Sequence, residues 1–208
     1  GQPVLNHLLC VAIVDDDEAV REAAFTTVAG IDPEMAGELD KIRVGDNYQI
    51  NEAIRSWAGR QDLSAAVLAL LAYIDQRDDD FETAEFKQPL QEFAKTAPEL
   101  YTAAAVTVAG ILLANRDKVE KDQHYCSDWK HRQSTTWVAR YAAPDPALAS
   151  IILQAAKTDG DYDVREQALR TLGQFGPVAN VTLHDLVQIA TTDENDAVKE
   201  AAKEIITR

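Results

Sequence analysis

Apolar residues recur three and four apart along most of the chain, while strict alternation of apolar and polar positions is almost absent. That spacing gathers the apolar members on one helix face, so it predicts helices rather than strands. Boundary residues divide the pattern. Asp32-Pro33 and Asp145-Pro146 read as an N-cap followed by proline at the first helical position, and Pro98 opens a helix in the same way. Gly30, Gly45, Gly59 and Gly173 fall where helices should stop. These marks predict about twelve helices, over 3–14, 17–30, 33–43, 47–59, 63–77, 82–96, 98–115, 128–142, 146–158, 162–174, 180–192 and 195–207. All but one of the links are short, and short links make antiparallel neighbours. The expected architecture is all-α, a stack of helical hairpins.

Three of these helices repeat one pattern: Val20-Arg21 with Ala24 and Val28, Val164-Arg165 with Ala168 and Leu172, and Val198-Lys199 with Ala202 and Ile206. Acidic or Asn residues precede each, at Asp16-Asp17-Glu18, Asp161-Tyr162-Asp163 and Asn195-Asp196. They cap the helix start and favour its positive dipole end. The small Ala stands where a neighbouring helix must come close. Ile50 with Ile54 and Ala58, Phe86 with Leu90 and Ala94, and Lys130 with Ser134 and Val138 are weaker copies. Anchors at 20, 50, 86, 130, 164 and 198 lie 30, 36, 44, 34 and 34 residues apart, within the range of helical-hairpin repeats.

The form D-x-x-V-R-x-x-A-x-x-x-L-G, fullest from Asp161 to Gly173, resembles the HEAT-like (armadillo/HEAT-type) helical repeat. The resemblance implies a single domain over 1–208, an α-solenoid or α-α superhelix of about six stacked hairpins. It assigns the V-R helix to the first position of its hairpin. The chain then starts on a second helix (3–14) and ends on a first (195–207), as a piece cut from a longer array would. Second helices in the family generally line the concave face, where this chain offers Glu34, Glu38, Gln154, Lys157 and Gln188. The function implied first is a non-catalytic protein–protein interaction scaffold. Bilin-lyase-like enzymes or chromophore binders are the alternative, and the DNA glycosylase type comes after them.

The spacing of 44 marks an irregular insertion over 115–129, and the sequence around it changes character. Residues 116–141 hold six basic against four acidic side chains, two of the four histidines and two of the three tryptophans. Insertions in repeat proteins map to loops on one face, often the binding face. Tyr, Trp and Arg are also the types enriched at interface hot spots. Tyr125, Trp129, Lys130, His131, Arg132 and Arg140 are therefore the candidate contact residues. Trp129, Trp137 and Tyr141, eight and four apart, equally fit a buried stripe of a helix whose repeat pattern has decayed. Both readings stand at this point.

Charge narrows the partners. A net charge of −15 opposes nucleic acid, whose backbone is bound by neutralising it with Lys and Arg. Residues 1–104 carry 8 basic and 20 acidic side chains, so that half would steer a basic protein partner. Self-association through the terminal helices is a further expectation. No apolar run approaches the roughly 20 residues that span a bilayer, so no membrane partner is expected. Cys10 and Cys126 are too few for a disulfide framework, which favours a reducing, cytoplasmic compartment. A leading Gly1 reads as a cleavage scar, and a signal peptide or further repeats before it would leave the compartment open.

No cofactor or metal is expected. His124, Cys126, Asp128 and His131 match no familiar zinc spacing. Asp159 to Asp163 has the alternating oxygens of a calcium loop, but Arg170 stands where the bidentate Glu belongs. Phosphate-binding Gly loops and nucleophile motifs are absent.

Overall fold

The computed structural model describes residues 2–15, 17–44, 56, 57, 60, 63–68, 84–113, 128–177 and 181–208; among them there is helix and turn but no strand. In chain order the helices are α1 (Gln2–Val14), α2 (Glu18–Ile31), α3 (Pro33–Val44), α4 (Ala84–Thr96) and α5 (Pro98–Leu112). They continue with α6 (Asp128–Ala139), α7 (Pro146–Thr158), α8 (Tyr162–Phe175), α9 (Leu183–Thr192) and α10 (Asp196–Ile206). Boundary chemistry fixed several of these starts. Asp145 caps α7 by accepting from the N–H groups of Ala147 and Leu148, with Pro146 at the first helical position. Most of the expected helices over 47–59 and 63–77 lies outside the described residues.

One turn design recurs three times. Asp15, Asp159 and Asp193 each accept the N–H of the residue two further on, Asp17, Asp161 and Asn195, at 3.0, 3.0 and 2.8 Å. Those three residues then N-cap α2, α8 and α10, accepting from Ala19, Asp163 and Ala197. Arg21 and Arg165 reach back six residues to the carbonyls of Asp15 and Asp159. Each turn is thus closed by its own short polar side chains, which lets a three-residue link reverse the chain.

These turns correct the expected phase of the hairpins. α1 packs most extensively on α2, α7 on α8, and α9 on α10. The V-R helix is therefore the second member of its hairpin, not the first. The reason is physical: the Asp-x-Asx turn folds the V-R helix back on the helix before it. Gly173 is a second correction. It lies inside α8, and the helix ends two residues later, at Phe175, before Gly176 with φ 68°. A Cβ at residue 173 would stand 3.2 Å from Cγ1 of Ile205, so glycine there lets α10 come close.

Neighbouring hairpins meet mainly through one layer, α6 on α8 and α8 on α10, while α5 on α7 packs less extensively. The buried apolar residues form one continuous core from Leu9 through Tyr101 and Leu148 to Ala202. Small residues at the crossings permit this density, among them Ala105, Ala109, Ala156, Ala168 and Ala202. Across α5 and α6, the buried Tyr101 hydroxyl donates to the carbonyl of Val138 at 2.7 Å. Thr102 Oγ1 accepts from the N–H of Ala143 at 3.0 Å. The C-terminal end of α6 is held at two points by α5.

Candidate functional site

Charged side chains link the hairpins before any of them is free for a partner. Arg132 on α6 donates through Nε and Nη2 to both carboxylate oxygens of Asp159, in the turn of the next hairpin. Arg165 on α8 repeats the move, donating through Nε and Nη2 to Asp193, one hairpin further on. Its Nη1 also serves the carbonyls of Asp159 and Gly160. Its hydrogen bonds to the Asp193 carboxylate raise the Arg165 guanidinium above its ordinary value. Burial alone would raise the Asp193 carboxyl, but bonds from Arg165 and the Asn195 N–H bring it below its usual range. On α10 the equivalent place is Lys199, which pairs with Asp196 of its own first turn. The two arginines are structural rungs.

A shallow cavity of about 280 Å³ opens beside the second rung, lined by Lys157, Asp159, Arg165, Gln188, Asp193 and Glu194. Its charges are largely engaged. Lys157 pairs with Asp185, whose carboxyl is lowered to about 2, first by the Thr182 hydroxyl and then by Lys157. Among the described residues no three His, Cys, Asp or Glu side chains gather as a metal set. Asp159 and Asp161 brace and cap the α7–α8 turn, Asp161 accepting from the N–H of Asp163.

α6 inverts the usual order of burial. Ser134, Thr135 and Thr136 are buried, while Trp137 and Tyr141 are only partly so and pack against the edge of the core. Thr136 Oγ1 donates to the Gln133 carbonyl, and the Thr136 carbonyl accepts from Thr171 Oγ1 on α8. Small hydroxyls bonded in this way let α6 and α8 approach closely and push the aromatics to the rim. Trp137 and Tyr141 meet edge-on, their ring centroids 5.6 Å apart. The Arg140 guanidinium lies 5.7 Å from the Tyr141 ring centroid, and its Nε donates to Gln174 Oε1 on α8 at 3.2 Å. Burial raises the Tyr141 hydroxyl's pKa, with Arg140 pulling the other way. Indole, phenol, guanidinium and amide thus share one rim of the α6–α8 layer.

The predicted contact residues divide accordingly. Tyr125 lies outside the described residues, as do His124 and Cys126, and the side chains of Lys130 and His131 are likewise outside them. Trp129 is partly buried on the first turn of α6. Arg132 is committed to Asp159, with 17% of its side chain exposed. Arg140 sits on the rim just described. Trp137, Tyr141 and Gln174 join it, although sequence reasoning singled out only the first two, as members of a stripe. A signal for the turns was present: Asp followed six residues later by Arg or Lys, at Asp15 and Arg21, Asp159 and Arg165, and Asp193 and Lys199.

A family model of HEAT repeats matches residues 123–206, which takes in α6 to α10 and both rungs. No curated protein and no solved structure matches the chain.

Proposed function

We propose, from the membership of residues 123–206 in the HEAT-repeat family, that this chain is a non-catalytic scaffold that binds a protein partner. The observation that carries the reading is the division of labour on α6 and α8. Rung residues are saturated by their own chain, while a neighbouring rim of aromatic and cationic groups is left at the surface. HEAT repeats commonly serve as interaction scaffolds, and a stacked array offers an extended surface without needing bond-making chemistry. With the hairpin phase read from the turns, α6, α8 and α10 are the second helices, the ones that line the concave face in this family. Exposed Glu18, Glu34 and Asp40 on α2 and α3 add an acidic field that draws a basic partner at long range.

The test is site-specific photocrosslinking in the native host. A photoreactive phenylalanine replaces Trp137 in one protein and Asp40 in another, and adducts are identified by mass spectrometry. A saturable protein adduct at position 137 supports the scaffold reading. Adducts confined to small molecules at both positions would sink it.

A further inference from the structure

Arg140 differs from three other arginines of α6 and α8. Arg132, Arg165 and Arg170 each face a carboxylate of this chain: Asp159, Asp193 and Glu166. Arg140 faces the neutral amide of Gln174 and the ring of Tyr141. Its Nε donates to Gln174, while neither terminal nitrogen is paired with a described residue, so four of its five N–H donors are not taken up by the described part of the chain. Among the described residues, Arg140 is paired with no carboxylate, in a chain of net charge −15. A guanidinium in this state matches a carboxylate through two parallel hydrogen bonds. The half-buried Trp137 and Tyr141 beside it supply a rigid apolar wall, of the kind that dominates hot spots.

The rim is also fixed in advance. Tyr101 and Thr102 pin the end of α6 from one side, and Gln174 holds the guanidinium from the other. Binding there loses little conformational entropy, which favours affinity.

Resting on the scaffold reading, we infer that the rim formed by Trp137, Arg140, Tyr141 and Gln174 docks a partner's peptide segment presenting an Asp or Glu side chain next to a large apolar one. Charge complementarity selects the acidic residue. The overall charge restricts how many there are: at physiological salt the Debye length is ~8 Å, so one carboxylate beside Arg140 is attracted while a long acidic run is repelled by the rest of the chain. A second copy of this acidic chain is a poor occupant for the same reason, and so is a polyanion.

The experiment pans a phage-displayed library of random dodecapeptides against the full chain. The best binders are then synthesised with a fluorophore and titrated by polarisation. The expected binders carry Asp or Glu adjacent to Leu, Phe or Trp. Arg140→Gln weakens them at least tenfold, and Arg140→Lys recovers only part of the loss, because a lysine cannot form the paired bonds. Arg170→Gln, close by but neutralised by Glu166, changes affinity less than threefold. Replacing the peptide's carboxylate by its amide costs the parent the same factor and costs Arg140→Gln nothing. Melting curves matching the parent's establish that the Arg140 variants are folded. Peptides that bind Arg140→Gln as tightly as the parent overturn the inference and leave the scaffold reading standing. The absence of any binding peptide overturns both. A single-stranded oligonucleotide that binds the parent and not Arg140→Gln overturns the peptide assignment in favour of nucleic acid.

Discussion

α6 and α8 occupy adjacent places in the same layer and were built to different ends. α8 follows the repeat pattern closely: Val164, Ala168, Leu169 and Leu172 are buried, and its one buried cation, Arg165, is saturated by the turns on either side. α6 shares the rung, through Arg132, but buries hydroxyls and carries its aromatics at the edge. Two arginines eight residues apart, one on this helix and one in the turn just past its end, therefore have opposite fates. Arg132 is tied to a buried carboxylate, while Arg140 keeps its terminal donors for something else. Where a repeat obeys its pattern, its polar groups are consumed in stacking the array. Surface for a partner appears where the pattern lapses.

The largest expected effect breaks that comparison at the rung. Arg165→Met removes the cation and leaves Asp193 unpaired at a buried edge, which costs about 3–5 kcal/mol of stability. Arg140→Met removes a cation of equal charge and should cost less than about 0.5 kcal/mol, as rim substitutions do. Urea unfolding of both variants measures the difference. Equal losses would mean that Arg140 is as structural as Arg165, and the contrast would fall.

Tyr101→Phe is a smaller perturbation that sharpens the same contrast. It deletes one hydroxyl and leaves the Val138 carbonyl with only its longer bond from the Tyr141 N–H, 3.4 Å, at a cost of about 1 kcal/mol. Its consequence should be local. Native-state hydrogen exchange is expected to quicken in the last turn of α6 while the α7–α8 turn stays protected. Uniform acceleration across both would show that the pinning is not specific to the rim.

Much of this arrangement was legible in the sequence, and the illegible parts have particular causes. Helix starts followed from Asp-Pro pairs because proline and a short carboxylate each satisfy a stated need of the first turn. The hairpin phase did not follow. A helix face carries the same three-and-four spacing whether it meets the helix before it or the one after. The missing clue was polar: the Asp six residues ahead of Arg21 and Arg165, which closes the turn. The pairing of Arg132 was hidden for a related reason, since composition around an insertion does not reveal a carboxylate 27 residues away in the next hairpin. The aromatic stripe was seen, but its partial burial depended on Ser134, Thr135 and Thr136 taking the core-facing positions, which polarity alone argues against.

Acid titration probes the second rung's surroundings with a more modest effect. Asp185 has its carboxyl lowered from the ordinary 3.8 to about 2, first by the Thr182 hydroxyl and then by Lys157. A depressed carboxylate contributes stability that is fully present above its unfolded value and is lost as pH falls through its folded value. The window is thus from about pH 4 down to about pH 2. In that window Asp185→Asn should show a flatter decline of stability than the parent, and above pH 5 the two curves should run parallel. Denaturant midpoints taken across the range decide it. A decline unchanged by the substitution would assign acid sensitivity to Asp193 and its neighbours instead.

The smallest effect compares two helical glycines, and it is informative because their surroundings differ. Gly30 lies near the end of α2 with no atom within 4 Å of where a Cβ would stand. Gly30→Ala should therefore stabilise the chain by up to about 1 kcal/mol, the difference in helix propensity. Gly173 has the same propensity to gain, but its new methyl would meet Ile205 at 3.2 Å. Ile205 is partly buried on the last turn of α10, so it can shift, at the expense of the contact between α8 and α10. Gly173→Ala should fall short of Gly30→Ala by roughly 0.5–1 kcal/mol, the lower end of what overpacking costs. Thermal melts of the two single variants and the double variant measure the gap. A gap of that size shows that α8 and α10 are held close by packing as well as by the Arg165 rung. Equal gains would leave the charged rung as the main thing setting their separation.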